Sequence, residues 1–200
     1  DVAVPPPRSL RDAVIEPFRE FLQRAGWKNA ALVLAFIFLY KIGDSMATAL
    51  ATKFYLDLGF SMTQIGAVAK TTGFWASIAG GIIGGVWMVR LGINRGLWIF
   101  GVAQAVAILG FAWLAHAGAN VIVLATVIGF EAFGVGLGTA AFVAYIAKTT
   151  DPRYTATQFA LFTSLSAVPR TFINASVGFI VNETGWLLFF ILCFVLALPG

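Results

Sequence analysis

Five ionisable residues stand inside stretches that are otherwise almost wholly apolar: Lys41, Asp44, Lys70, Glu131 and Arg170. Lys41 and Asp44 are three apart, so a helix puts them on one face, where they can pair. Thr48 and Thr52 continue that face at four-residue steps. Further along, Gln158, Phe162, Ser166, Arg170 and Asn174 recur every fourth residue, a second stripe on one helix face. Such groups can do three things. Cations hold carboxylates, arginine in a bidentate fork. Hydroxyls and amides hold sugars and peptides. A carboxylate whose surroundings change can take up and release a proton. The plainer alternative is an ion pair that only joins two helices. No His/Cys metal spacing, nucleotide-binding fingerprint or nucleophile elbow is present. No metal, no cofactor and no catalytic residue is therefore expected. His116 falls at a helix end and Cys193 in an apolar run, and both read as structural.

The background of these residues decides what they mean. The chain has 200 residues, 60% hydrophobic and 11% charged. Mean hydropathy is +0.89. That is an all-α integral membrane protein and not a soluble domain. The 21 glycines and 19 phenylalanines suit close-packed helices facing lipid. The net charge of +4 lies mostly in loops, which the positive-inside rule explains, so no nucleic acid is expected. A charge within the bilayer is costly unless it faces protein or water, so five of them imply a polar interior.

Residues 1–28 read as a linker. Pro5, Pro6 and Pro7 are extended. Residues 9–24 alternate Leu10, Val14, Phe18 and Phe21 with charges, an amphipathic helix for a membrane surface, with a kink or restart expected at Pro17. Arg8, Arg11, Arg19, Arg24 and Lys28 mark this end as cytoplasmic. Residues 29–200 divide into six apolar spans: about 30–56, 62–90, 96–116, 119–148, 155–181, and a last one from about Trp186 that the chain end cuts short. The short connections predict that sequential spans are antiparallel neighbours. One set of turns holds Arg90, Arg95, Lys148 and Arg153; the other holds Asp57, His116 and Glu183. The chain begins with Asp, without an initiator Met, and is expected to be a piece of a longer protein.

Spans one, two, four and five carry the buried charges; spans three and six carry none. Lys41 lies roughly 16 Å and Glu131 roughly 18 Å from the nearer span end, at ~1.5 Å per residue. Lys70 lies roughly 12 Å from the outer end and Arg170 about 22 Å from the inner one, so both can also snorkel outwards. Two repeats of three, with the third member facing lipid, are the organisation of half a major facilitator transporter. Pro169 is expected to bend the fifth span. Gly73, Ser77, Gly81 and Gly85 form one small-residue row on span two, beside a second row of Ala76, Gly80 and Gly84; Gly134 and Gly138 do the same on span four. The turn from Gly85 through Arg90, Gly92 and Arg95 to Leu97 resembles the cytoplasmic signature loop of that superfamily. Val89 replaces its acidic residue and Ile93-Asn94 its basic pair.

Longer stretches are more specific. Residues 40–60, 69–95 and 142–170, including the run ATQFAL, resemble the C-terminal half of AmpG-type muropeptide permeases of the major facilitator superfamily, and the likeness extends over residues 8–200. The resemblance implies a multi-pass protein of the Gram-negative inner membrane. It implies proton-driven import of anhydromuropeptides (GlcNAc–anhydroMurNAc-peptides) from periplasm to cytoplasm, in peptidoglycan recycling and upstream of β-lactamase induction, hence antibiotic resistance. It also implies a missing N-terminal half as partner, with lipids around both. The expected substrate and proton residues are Lys41, Asp44, Thr48, Lys70, Glu131, Ser166, Arg170 and Asn174, with protons as the coupling ion. Tyr40, Phe162 and Trp75 are expected to stack on sugar rings. Asp44 should stay ionised beside Lys41, which leaves Glu131 as the better proton carrier, unless an arriving substrate carboxylate takes Lys41 and releases Asp44. A proton-conducting channel, or a transporter of another sugar or peptide, is the alternative. A membrane enzyme would need a nucleophile, a metal site or an acid pair, so the chain is not expected to be an enzyme.

Overall fold

A computed structural model of the chain describes residues 10–40 and 42–198, with backbone alone for residues 10–14, 169, 170 and 174. Among these residues every regular element is a helix. They are α1 (Leu10–Ala25), α2 (Trp27–Leu39), α3 (Ile42–Ala49), α4 (Ala51–Asp57), α5 (Met62–Val68), α6 (Phe74–Leu91), α7 (Ile93–Ala117), α8 (Val121–Thr149) and α9 (Thr155–Ala197). Local chemistry starts and stops them. Ser61 and Gln64 form a capping box at α5, with Gln64 N–H donating to Ser61 Oγ at 3.2 Å and Ser61 N–H to Gln64 Oε1 at 2.9 Å. Asn120 Oδ1 accepts from Ile122 and Val123 N–H at the start of α8. Gly92 alone separates α6 from α7, at φ 76°, where a Cβ would be strained. Gly185, at φ 75°, breaks α9 into arms 155–184 and 186–197.

Among the described residues five helical stretches are long and apolar enough to cross a bilayer: Trp27–Asp57, Met62–Leu91, Ile93–Ala117, Val121–Thr149 and Ala175–Ala197. The sequence divides the region after residue 155 into two spans; the last of these five runs across Gly185. The arms of α9 still run in opposite senses. Gln158 meets Pro17, Trp186 meets Asp57, and Cys193 and Ala197 return to Gly43.

Four expectations change. The first span is not one helix: it is interrupted after Leu39 and again at Leu50, giving α2, α3 and α4. The second span contains a π-helical turn, Ala69–Gly73, between α5 and α6. Sequential spans are main partners only in part: α7 packs extensively on α8, but α6 packs far more on α8 than on α7. The most extensive interfaces are α6 on α8, α7 on α8 and α3 on α9, so each helix finds its partner by small residues and shape, not by loop length. Pro17 does not restart α1, which runs unbroken through it.

The α6–α8 contact is the closest. A Cβ added at Gly80 would strike the Phe133 carbonyl, and one at Gly84 would come within 3.1 Å of Leu137 Cα. From the other side, a Cβ at Gly136 would strike the Ser77 carbonyl. Of the two rows on the second span, then, Gly80 and Gly84 are the packed pair, while Gly81 and Gly85 face open space. Gly134 and Gly138 of α8 pack on α7 instead.

At one end of the bundle, α1 is fastened by a polar clasp. Gln158 is 1% exposed. Its Nε2 donates to the Pro17 carbonyl at 2.8 Å and to Glu20 Oε2 at 2.7 Å, and its Oε1 accepts from Asp151 N–H at 2.7 Å. Arg24 joins Glu20 at 2.8 Å and caps α8 through the Thr149 carbonyl at 2.8 Å. Arg153 grips Asp151 with Nε at 3.0 Å and Nη2 at 3.1 Å. Removing the Gln158 amide should cost about 1–3 kcal/mol of α1 docking, because three partners lose their bonds inside the protein. Gln158→Leu in the full-length protein is thus expected to make the α1–α2 joint at Gly26 sensitive to protease while the bundle stays folded. Unchanged cleavage would sink the clasp.

The clasp has a pH signature. The Arg153 side chain, then its backbone N–H, holds the Asp151 carboxyl at about 2, below its usual 3.8. A carboxyl lowered by folding stabilises fully above its unfolded value, and that contribution is lost as pH falls through the folded value. Docking of α1 should therefore be flat from about pH 5 to pH 8 and weaken only below about pH 4. Hydrogen exchange of α1 across that range checks it; a transition near neutral pH would contradict it.

Candidate functional site

The buried apolar residues fall into two clusters, one above the other. The cluster beside α1 holds Phe21, Ile37, Tyr40, Phe100, Leu137, Phe142 and Phe162. The other holds Ile42, Met46, Phe54, Ile108, Phe111, Ile128, Val177 and Phe190. Five segments of chain pass from one cluster to the other; the second span does so between Val68 and Met88 along its glycine rows, and the other four do so at polar residues. The first span crosses between Tyr40 and Ile42, just before Asp44. α7 crosses between Phe100 and Ile108, at Gln104. α8 crosses between Ile128 and Leu137, at Glu131. α9 crosses between Phe162 and Val177, past Ser166, Arg170 and Asn174. These polar residues form a waist between the two clusters.

Asp44 opens α3, half-buried, and its carboxylate is within electrostatic range of the Tyr40 hydroxyl. Thr48 is exposed one turn later, and its Oγ1 donates to the Asp44 carbonyl at 2.8 Å. Glu131 is half-buried on α8, within electrostatic range of the Tyr55 hydroxyl. Ser166 is half-buried and donates to the Thr163 carbonyl at 2.7 Å. These hydroxyls satisfy their protons within their own helices and keep lone pairs to offer a ligand. Lys41, and the side chains of Pro169, Arg170 and Asn174, lie outside the described residues.

Lys70 is not at the waist. It sits exposed on the π-helical turn, just after Val68 of the outer cluster. That turn packs on α8: a Cβ at Gly73 would come within 3.1 Å of Ile128, and one at Gly129 within 2.8 Å of Thr72. Single π turns inside helices occur often at functional sites. Nothing in the apolar periodicity of the second span marks this one.

The expected aromatic contacts need correction. Tyr40 is 5% exposed and stacked on Phe142 with centroids 5.2 Å apart. Phe162 is 2% exposed and packs edge-on against Phe21 at 4.9 Å. Both rings are core, so neither can stack on a sugar; Trp75, 67% exposed, still can. The stripe beginning at Gln158 also starts in the clasp rather than in a cavity. One residue was missed. Gln104 is buried in the third span, where a search for charges finds nothing.

In the turn between α6 and α7, Arg90 and Arg95 are exposed beside Gly92, while Gly85 faces open space. The turn lies at the α1 end, since Met88 and Leu97 join the cluster that holds Phe21. The basic residues Arg24, Arg90, Arg95, Lys148 and Arg153 thus share one end, opposite Asp57 and Trp186. Between α6 and α8 an open groove of about 450 Å³ is lined by Ser77, Gly81, Val135, Gly136, Thr139, Ala140 and Val143.

No family model matches the chain. Three relatives do. An uncharacterized protein of Haemophilus influenzae is 50% identical over 92% of the chain and 45% of its own length. The anhydromuropeptide permease of Escherichia coli K12 is 37% identical over 98% of the chain and 40% of its own length. A Rickettsia conorii protein carrying the AmpG transporter name is 37% identical over 94% of the chain and 44% of its own length. The chain therefore spans less than half the length of the relatives it matches. The resemblance read from its motifs holds along nearly all of it.

Proposed function

We propose that this chain is the C-terminal half of a proton-coupled anhydromuropeptide permease, and that the polar waist is its share of the substrate and proton site. The observation that supports the reading is that Asp44, Glu131 and Ser166 stand on segments that pass between the two apolar clusters. Membrane bundles keep ionisable groups at depth for solute or ion paths, because lipid makes them costly. The similarity to a permease of that name supports the substrate class.

Each residue has a role in this reading. Lys41, Lys70 and Arg170 hold the carboxylates of the stem peptide. Thr48, Ser166 and Asn174 bind its amides and the sugar hydroxyls. Asp44 and Glu131 are the candidates for the coupling proton. The N-terminal half supplies the facing wall, and rocking of one half on the other alternates access. The basic end with α1 is cytoplasmic by the positive-inside rule, and the membrane is the inner one of a Gram-negative cell. Imported fragments then feed peptidoglycan recycling and the induction of β-lactamase.

The test uses full-length protein in cells without their own permease. Labelled anhydromuropeptide should enter, stop on addition of a protonophore, and be competed by unlabelled muropeptide but not by a neutral disaccharide. Entry that ignores the protonophore would remove the coupling. Absence of entry, where a known permease works, would remove the substrate.

A further inference from the structure

The turn at Gly92 sits at a membrane edge, because one membrane-crossing stretch ends at Leu91 and the next begins at Ile93. Away from that turn α6 and α7 part. Each packs chiefly on α8 and only sparsely on the other. Between them lies an open groove of about 370 Å³, lined by Trp87, Arg90, Leu91 and Ile99. Trp87, Arg90 and Leu91 share one face of α6, at three- and four-residue spacing. Met88 turns into the core instead. Arg90 is in the last turn of α6, so its guanidinium reaches headgroup level. Trp87 is attached about 4.5 Å deeper than Arg90, and Ile99 roughly 10 Å below the turn, at the rise of a helix. The groove thus runs from a cation through an indole to aliphatic walls.

Arg90 has no carboxylate to meet. No Asp or Glu occurs between Asp57 and Glu131, and among the described residues neither Arg90 nor Arg95 is in an ion pair. Glu20 and Asp151, at the same end, are taken by Arg24 and Arg153. The rest of the face says what covers the groove. From Ile99 the exposed side of α7 continues through Val102 and Val106 to Trp113, at steps of three, four and seven. Trp98 is exposed beside Ile99. An aliphatic stripe with tryptophan at both ends is how a span faces lipid.

We infer that the groove between α6 and α7 is a binding site for an anionic phospholipid. Arg90 holds the phosphodiester in a bidentate fork. The Trp87 indole lies at glycerol level, where its N–H can donate to an ester. Leu91 and Ile99 hold the first part of an acyl chain. Arg95, in the first turn of α7, adds attraction without lining the groove. Basic pockets between spans take acidic headgroups in this way. The inference needs a chain that spans a membrane and does not depend on what is transported.

The test is native mass spectrometry of delipidated full-length protein. Three probes are titrated: phosphatidylglycerol, phosphatidylcholine with the same acyl chains, and soluble glycerol 3-phosphate. The protein is expected to retain phosphatidylglycerol in preference to the other two. Arg90→Gln should weaken that binding roughly fivefold. Ile99→Trp, which fills the groove and changes no charge, should weaken it too. Lys148→Gln removes the same charge at the same end but outside the groove, and should leave it nearly unchanged. Equal loss in Arg90→Gln and Lys148→Gln would mean diffuse surface attraction and overturn the site. So would unchanged binding in Ile99→Trp, or equal retention of phosphatidylcholine. Binding of glycerol 3-phosphate would make it a free-phosphate site instead. A benzophenone side chain in place of Ile99 should crosslink to lipid in membranes; crosslinking to the N-terminal half of the protein would show that protein covers the groove.

Discussion

Glu131→Gln is expected to abolish uphill accumulation of anhydromuropeptide by the full-length protein, by roughly tenfold or more, which is at least about 1.4 kcal/mol of lost coupling. Glutamine keeps the size and hydrogen bonding of the side chain but cannot change protonation. Glu131 is half-buried at the level where the two apolar clusters part. A group there meets different dielectric surroundings as access alternates, which is what moves a proton on and off a carboxylate. Downhill exchange of labelled for unlabelled substrate should survive, because it needs no net proton movement. Asp44→Asn should behave differently. Asp44 lies in the first turn of α3, half-buried and within electrostatic range of the Tyr40 hydroxyl, so loss of its charge is expected to weaken binding and exchange together. Counterflow and proton-driven uptake, measured side by side, separate the two. Accumulation by Glu131→Gln that still collapses with a protonophore would take the coupling role from Glu131.

The second large effect is structural. Gly136→Leu or Gly80→Leu should prevent α6 and α8 from closing, and even alanine at either position is expected to cost about 1–3 kcal/mol. The reason is what the new atom meets. At Gly80 it is the Phe133 carbonyl, and at Gly136 the Ser77 carbonyl with Gly81 N at 2.8 Å. Backbone cannot rotate away as a long side chain can. Gly81→Ala is the control: its Cβ points into open space, so it should change stability by less than about 0.5 kcal/mol. Membrane abundance and thermal midpoint report both. Equal tolerance of Gly80→Ala and Gly81→Ala would mean that the two helices are not in backbone contact.

That pair shows where sequence reasoning stops. Two small-residue rows lie on the second span, and their residue types are the same. Only the partner helix, through Phe133 and Leu137, selects Gly80 and Gly84 over Gly81 and Gly85, and partner choice is long-range. The spans themselves were legible, because hydropathy runs for many residues and glycines, Ser61 and Asn120 punctuate it. Helical rise also converts residue number into distance along a span, so an approximate depth can be assigned to Glu131 from the sequence. The breaks around Tyr40 and Leu50, and the π-helical turn at Lys70, carry no proline and leave the apolar pattern intact. Tyr40 and Phe162 were misjudged because an aromatic residue does not say whether it faces core or cavity. Gln104 was passed over because a neutral amide does not lower the hydropathy of α7 enough to stand out.

The most direct test of the polar waist is accessibility in the membrane. In the full-length protein, Thr48→Cys would be labelled with a membrane-impermeant thiol reagent, with and without anhydromuropeptide. Cys193 is fully buried and gives little background. The account predicts that Thr48→Cys reacts, because its face lines water rather than lipid, and that substrate protects it. A cysteine there that stays unreactive from both sides of the membrane, in a protein that still transports, would show that the waist faces lipid and is not the site.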